Sequence, residues 1–134
     1  MNARRVSWIL VLVTLLGATL ACAGSVSTAN VADAWMSTDE AGSNRTTVFA
    51  QDAVFYAQAD LKNAPDDSSL KSVWTAVDVQ DTEPGLVINE TEVTTGSGLV
   101  HFTLSNDSLW PTGTYRAEIY LGEELVKTID FSVQ

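Results

Sequence analysis

The 134-residue sequence contains a single cysteine, Cys22, and a single histidine, His101. One cysteine allows no intrachain disulfide, so the domain that follows must be stabilised by its core alone. With one histidine, and with the one cysteine at the end of an apolar N-terminal segment, only carboxylates remain for a zinc site, and no sequence feature places a serine beside His101 for a Ser-His-Asp triad. We therefore expect no catalytic residue, no metal site and no cofactor.

Basic residues are also scarce, with 7 Lys and Arg against 17 Asp and Glu. Arg4 and Arg5 precede all 17 acids, so the chain without its N-terminal segment has 5 basic residues and a net charge of −12. A field of this sign repels phosphate backbones and anionic lipid headgroups. Nucleic acid is therefore not expected as a partner, and membrane attachment would have to be covalent or hydrophobic.

The first 21 residues have the three zones of a secretory signal peptide. Arg4 and Arg5 give a positive start, the apolar run from Trp8 to Leu16 follows, and small residues then lead to Cys22. A membrane-spanning helix needs roughly 20 apolar residues. Serine, threonine and glycine dilute this segment, so a cleaved leader is favoured and an uncleaved membrane anchor is the alternative.

The segment Thr19-Leu20-Ala21-Cys22 resembles the lipobox of bacterial lipoproteins. The resemblance implies cleavage after Ala21 and attachment of a diacylglyceryl group to the Cys22 thiol, with acyl chains such as palmitate. The departure is in register, because Thr19 stands where the family usually has leucine. Ala21-Cys22-Ala23 also fits an ordinary small-x-small cleavage site, which would release a secreted, soluble domain.

The predicted organisation follows from this leader. Residues 1–21 form a lipoprotein signal peptide, and residues 22–30 form a flexible, lipid-anchored tether of small and polar residues. Residues 31–134 form a single domain. We expect the protein at the cell envelope, anchored in a membrane by its N-terminal lipid and facing outside the cytoplasm.

After the tether, short runs rich in Val, Thr, Tyr and Phe alternate with turn residues, and no stretch keeps a helical period. The runs predict strands near 31–37, 46–50, 53–61, 71–80, 86–95, 99–105, 113–121 and 125–133. Seven or eight short antiparallel strands in about 100 residues favour a β-sandwich.

Specific residues add a resemblance to immunoglobulin-like and fibronectin-type modules. Trp74 lies on a middle strand, Pro111-Thr112-Gly113-Thr114-Tyr115 leads into the penultimate strand, and the last strand ends in Phe131-Ser132-Val133. Such modules have a core tryptophan and a tyrosine at a strand corner. The inter-sheet cysteines of antibody domains are absent, so the resemblance implies the all-β, immunoglobulin-like sandwich in its general form only.

Alternation in the last two strands predicts their register. A three-residue loop, Gly122-Glu123-Glu124, keeps the inward parity of both strands. The resulting opposite pairs are Leu121 with Leu125, Ala117 with Ile129, and Tyr115 with Phe131. Lys127 falls on the inward side, which predicts a position near an edge with its amine reaching water.

The middle strands leave two questions open. Either Trp74 and Ala76 face the core, or nearby valines such as Val73 do. The continuous apolar run Leu86-Val87-Ile88 fits either a strand covered on both sides or a β-bulge.

Several residue groups have side chains that could form a binding or catalytic site. The acids of Asp66-Asp67-Ser68 and Asp81-Thr82-Glu83 offer calcium ligands, but turn chemistry explains them without a metal. Glycoside hydrolysis needs paired carboxylates, and Glu90 and Glu92 share one strand face, but at a spacing found in any alternating acidic strand. His101 is expected at the surface. The aromatic residues able to stack on a sugar or anchor a protein are Trp35, Tyr56, Trp110 and Tyr120, with Trp110 also suited to closing one end of the core.

These observations favour a cell-envelope lipoprotein with a non-catalytic immunoglobulin-like module for protein interaction or structural support at the membrane surface. Its partner would be an unidentified protein or polysaccharide. The alternative is a secreted or anchored accessory module that binds carbohydrate or calcium, which would need acids or aromatic rings to converge at one end of the sandwich.

Overall fold

The structure is a computed structural model that describes residues 28–134. Ala21 and Cys22 lie outside the described residues, so cleavage and lipid attachment stay predictions. The described part has eight strands, and no helix in it is long and apolar enough to cross a membrane. The strands are β1 (Asn30–Ser37), β2 (Val48–Phe49), β3 (Phe55–Lys62), β4 (Ser68–Val79), β5 (Leu86–Thr95), β6 (Gly98–Leu104), β7 (Gly113–Leu121) and β8 (Glu124–Val133).

The strands form two sheets packed face to face, which confirms the predicted all-β sandwich. One sheet has the order β1-β3-β6 and the other the order β2-β8-β7-β4-β5. Every pairing is antiparallel except that of β2 with β8. The predicted strands at 86–95 and 113–121 have the observed bounds, because turn residues flank both of them.

The core between the sheets is a cluster of aromatic rings around Phe55, which is fully buried. Phe55 belongs to the three-stranded sheet, and its ring stacks on that of Trp110 with centroids 4.6 Å apart. Edge-to-face contacts join it to Phe49 and Phe131 at 5.0 Å each. Such offset and edge-to-face geometries are the favoured ones for aromatic pairs, so this cluster joins the two sheets without a disulfide.

The strand pairing and two β-bulges show which residues of the middle strands face the core. Trp74 and Ala76 face the core, and a register shift before Asp78 then brings Val79 inward as well. Opposite them, Ile88 is the extra residue where the pairing of β4 with β5 shifts. Leu86-Val87-Ile88 is therefore a bulged edge segment and not a strand covered on both faces.

The β7–β8 hairpin confirms part of the predicted register and corrects its end. Tyr115 lies opposite Phe131, and Ala117 lies opposite Ile129. The prediction that Leu121 lies opposite Leu125 is wrong, because Leu121 pairs with Glu124. The turn has two residues, Gly122 and Glu123 (Gly122 φ 62°), and the pairing then shifts by one residue at a bulge beside Ile119. Beyond the bulge, the inward-facing pairs are therefore the same as those that a three-residue loop would give.

Lys127 pairs with Ile119 and is half-buried, so its predicted inward position is confirmed.

Tyr115 forms the corner at the start of β7. Its ring is buried and stacks on that of Phe131 with centroids 5.5 Å apart. Its hydroxyl donates a hydrogen bond to the Pro111 carbonyl at 2.6 Å, which ties the β6–β7 connection to the core. Desolvation by burial raises the pKa of Tyr115 above its ordinary value of 10.0.

We expect Phe55→Leu to lower the free energy of unfolding by about 2 kcal/mol more than Phe102→Leu, measured by chemical denaturation. Both phenylalanines are buried on adjacent strands, but only Phe55 makes ring contacts in the described part of the chain. Equal losses in the two variants would show that burial, and not the ring cluster, joins the sheets.

Tyr115→Phe should cost about 1 kcal/mol at neutral pH, the net value of one hydrogen bond, while Tyr120→Phe on the outer face should cost little. Because the folded-state pKa of Tyr115 is raised, its stabilising contribution is complete below pH 10 and is lost as the pH rises through the folded-state pKa. Denaturation curves from neutral to alkaline pH should therefore fall less steeply for Tyr115→Phe. An identical alkaline slope in both proteins would contradict this.

Candidate functional site

The outer face of the three-stranded sheet is covered by the loop of residues 38–47, which joins β1 to β2 (the 38–47 loop). Trp35, Gln58 and His101 lie side by side on this face, since Trp35 pairs with Gln58 and Gln58 pairs with His101. The loop passes over Gln58 and returns to the free edge of β1, where Arg45 bridges to Ser37. A face that would otherwise meet water is thereby partly buried.

Gln58 fastens the loop to the sheet. Its side chain is fully buried, and its Nε2 donates to the Glu40 carbonyl at 2.9 Å and to Ser37 Oγ at 3.2 Å. The Ser37 hydroxyl in turn donates to the Asp39 carbonyl at 2.7 Å. Gln58 Oε1 has no hydrogen-bond partner in residues 28–134. Buried polar groups are costly unless paired, so the loop is held mainly by the donors of this side chain.

Gly42 lets the loop approach this closely. Its φ is +77°, a conformation that favours glycine, and a Cβ there would lie 2.9 Å from Gln58 Cδ and 3.1 Å from Trp35 Nε1. The Gly42 carbonyl accepts a hydrogen bond from Trp35 Nε1 at 2.9 Å. A side chain at this position would force either the loop or the side chains beneath it to shift.

Charged groups hold the two ends of the loop. The Asp39 carboxylate accepts hydrogen bonds from the Asn44 and Ser43 amides at 2.8 and 3.0 Å. These bonds, first that from Asn44, hold the pKa of Asp39 below its ordinary value. At the other end, the Arg45 guanidinium lies 3.8 Å from the Trp35 ring centroid and 3.2 Å from Asp33.

Arg45 and Trp35 also line a shallow groove of about 350 Å³ between β1 and β8.

His101 lies at the surface, as predicted. Its Nε2 is 3.3 Å from Glu40 Oε1, and its ring is 6.4 Å from that of Tyr56. The side chain is 39% exposed. The hydrogen bonds and ion pairs of His101 in the described part of the chain include no serine, so its contacts are those of a surface side chain beside a loop carboxylate.

Three further residues singled out in the sequence, Tyr120, Glu90 and Glu92, lie on the other sheet, away from His101 and the 38–47 loop. Tyr120 is on the outer face of the five-stranded sheet, with the Lys71 amine 4.7 Å from its ring centroid. Lys71 also contacts Glu90 at 3.3 Å, and Glu92 accepts a hydrogen bond from Ser69 at 2.7 Å. Both glutamates therefore have ordinary partners along a solvated strand face.

Trp110 lies in the core, which confirms the prediction that it closes one end. It is 8% exposed, and its Nε1 donates to the Ala53 carbonyl at 2.9 Å. The Asp66–Ser68 and Asp81–Glu83 turns lie at opposite ends of β4. Within residues 28–134, no group of three or more His, Cys, Asp or Glu side chains is placed to hold a metal ion.

A second groove lies between β5 and β6, which border different sheets and do not pair with each other. Its volume is about 350 Å³, and it is lined by Val93, Thr94, Thr95, Leu99, Val100 and His101. Sequence reasoning placed His101 on the surface but identified neither this groove nor the roles of Gln58 and Gly42. The isolated glycine in the turn segment 39–44 was the one available signal for Gly42.

We expect Gly42→Ala to lower the free energy of unfolding by at least 1 kcal/mol more than Gly85→Ala (order-of-magnitude, about 1–3 kcal/mol for overpacking). Both glycines have similar φ values, +77° and +74°, so alanine is strained at either position. Only Gly42 has neighbours that a Cβ would meet. Chemical denaturation of the two variants therefore distinguishes the cost of overpacking from the cost of backbone strain. Equal losses of unfolding free energy would argue against a closely packed loop.

No family model and no curated protein matches this chain. Solved structures do resemble it. An immunoglobulin-like protein from Pseudomonas aeruginosa is 15% identical, with 83% of this chain and 100% of that chain covered and a TM-score of 0.56. The Pseudomonas fluorescens alkylpurine DNA glycosylase AlkC, bound to DNA with an abasic site analog, is 11% identical, with 87% and 33% covered and a TM-score of 0.52.

This chain therefore spans about one third of the glycosylase, and at these identities the likeness concerns the fold alone. Together with the two observed sheets, it shows that residues 28–134 form an immunoglobulin-like β-sandwich.

Proposed function

We propose that the protein is a cell-envelope lipoprotein whose immunoglobulin-like domain is a non-catalytic module for protein interaction or structural support at the membrane surface. The observation that carries this proposal is the position of Cys22, the sole cysteine of the sequence, directly after an apolar leader and Ala21. A sole cysteine cannot form an intrachain disulfide, and attachment of a lipid explains its position at the end of this leader. Two acyl chains on one residue give stable anchoring, whereas a single chain gives marginal binding.

The placement of the chemically active side chains supports a binding role over catalysis. His101 and Glu40 meet on an outer face, while Glu90 and Glu92 lie on the outer side of the other sheet. Among the aromatic candidates, Trp110 lies in the core and Tyr120 on the five-stranded sheet, while Trp35 and Tyr56 lie on the outer face of the three-stranded sheet. This separation does not favour the alternative of carbohydrate or calcium binding, which needs such groups to converge.

The experiment is the intact mass of the N-terminal fragment of the protein isolated from native membranes. We expect a fragment that begins at Cys22 with added acyl mass. Cys22→Ala should abolish the acyl mass and release the protein from the membrane fraction, whereas Ser25→Ala in the same segment should change neither. A fragment that begins at Gly24 without lipid would indicate a secreted domain, and an intact Met1 would indicate an uncleaved anchor; either result would refute the lipoprotein proposal.

A further inference from the structure

Each sheet of the sandwich ends in two edge strands, and three of these four edges have features that hinder strand addition. β2 has only two residues. β1 has an irregular register between Val31 and Asp33, and β5 combines a bulge with the exposed side chains of Glu90 and Glu92. Short length, bulges and charged side chains are the usual means by which proteins prevent pairing at a sheet edge.

β6 lacks all of these features. It pairs with β3 in an unbroken register from Gly98 opposite Leu61 to Leu104 opposite Phe55. Its seven residues include no proline, lysine, arginine, aspartate or glutamate. Leu99 on its outer side is 51% exposed. Within residues 28–134, β6 is thus a regular, uncharged strand with one free edge, the kind of edge that pairs readily with another strand.

The inward face of the five-stranded sheet is also partly exposed beside β6. The β4 residues Leu70 and Trp74 are buried, but their β5 neighbours Val93 and Asn89 are only half-buried, and Thr91 is exposed. The three-stranded sheet therefore covers β4 and leaves the inward side of β5 partly uncovered. A strand added to the free edge of β6 would occupy the groove between β5 and β6 and cover Val93.

The charges around the groove indicate what kind of strand fits. Residues 28–134 hold 17 acids and 5 basic residues, and four of those basic residues already contact a carboxylate. Glu92 precedes the groove residue Val93, Asp66 packs against Gly96 in the β5–β6 turn, and Glu40 lies beside His101. A second copy of this acidic chain would be repelled, whereas a basic segment would be attracted.

We propose that the free edge of β6 is a strand-addition site for an extended segment of another protein in which aliphatic residues alternate with lysine or arginine. The aliphatic side chains would face the half-buried Val93 and Val100, and the basic side chains would face the surrounding carboxylates. Backbone hydrogen bonds to β6 would supply affinity, and the alternation would supply specificity. This inference rests on the proposed interaction role of the module, for which it names the contact site and the partner class.

The test uses the full-length protein in detergent and a synthetic peptide of roughly nine residues with alternating valine and lysine, long enough to span β6. Binding is measured by fluorescence anisotropy and located by backbone hydrogen exchange. We expect protection of residues 98–104 on binding. A peptide with N-methylated valines, which cannot donate the pairing hydrogen bonds, should bind at least about tenfold more weakly.

Two variants of the protein distinguish pairing of the peptide at the β6 edge from general charge attraction. Leu99→Lys places an edge lysine on β6 and should weaken peptide binding about tenfold without changing the thermal midpoint. Leu109→Lys makes the same change at a leucine that is 62% exposed outside the strands, and it should leave peptide affinity unchanged.

Any of four results would overturn the inference. The N-methylated peptide could bind with equal affinity, Leu99→Lys could bind the peptide with unchanged affinity, or no binding could be seen up to about 1 mM peptide. The fourth is concentration-dependent protection of residues 98–104 without peptide, which would identify a second copy as the occupant. None of these results bears on the lipid anchor, which the N-terminal mass reports independently. Crosslinking to envelope proteins that is unchanged in Leu99→Lys would preserve the interaction role and reject only this site.

Discussion

The insertion of the Phe55 ring between the two sheets is the contact on which the rest of the fold depends. Phe55 is the first residue of β3, the central strand of the three-stranded sheet, and it meets the rings of Phe49 and Phe131 from the opposite sheet. A domain without disulfides has to obtain its stability from such buried apolar area. Because Phe55 also stacks on Trp110, the same contact orients the connection that leads into β7.

The outer face of the same sheet is stabilised differently, by a loop in place of a second layer of apolar residues. Gln58 and Ser37 are both fully buried although they point away from the core. Their hydrogen bonds to the backbone of the 38–47 loop compensate part of the cost of removing them from water. The loop also occupies one end of the free edge of β1, where the Thr46 amide donates to the Met36 carbonyl at 3.0 Å. The proposed binding edge is thereby left at the opposite side of the sheet.

The shortage of basic residues connects the two proposals. A chain with this charge is repelled by anionic lipid headgroups, which makes a covalent lipid the physically suitable means of attachment to a membrane. The same charge discourages association between copies and attracts basic partners. Within residues 28–134 most carboxylates have no ion-pair partner, so the uncharged β6 combines a neutral contact strand with an attractive surrounding field.

Much of the fold was predictable because it is encoded locally. Alternation placed Tyr115, Ala117 and Ile119 in the core, and the predicted pairs Ala117–Ile129 and Tyr115–Phe131 are observed. The end of that hairpin was not predictable, since a two-residue turn with a bulge and a three-residue loop give the same parity further along the strands. The role of Gln58 was missed for a related reason. An outward position on a strand predicts solvent exposure unless a loop from elsewhere in the chain covers it.

The sequence by itself determined the all-β class, the strand positions, most of the inward and outward faces, and the acidic charge, because each follows from composition or from a period of two residues. Tertiary structure alone decided the orientation of Trp74, the burial of Gln58 beneath Gly42, and the exposure of the β6 edge beside an uncovered β5. Each of these depends on which strands become neighbours in a sheet. That order is set by contacts between residues distant in the chain, which local patterns do not record.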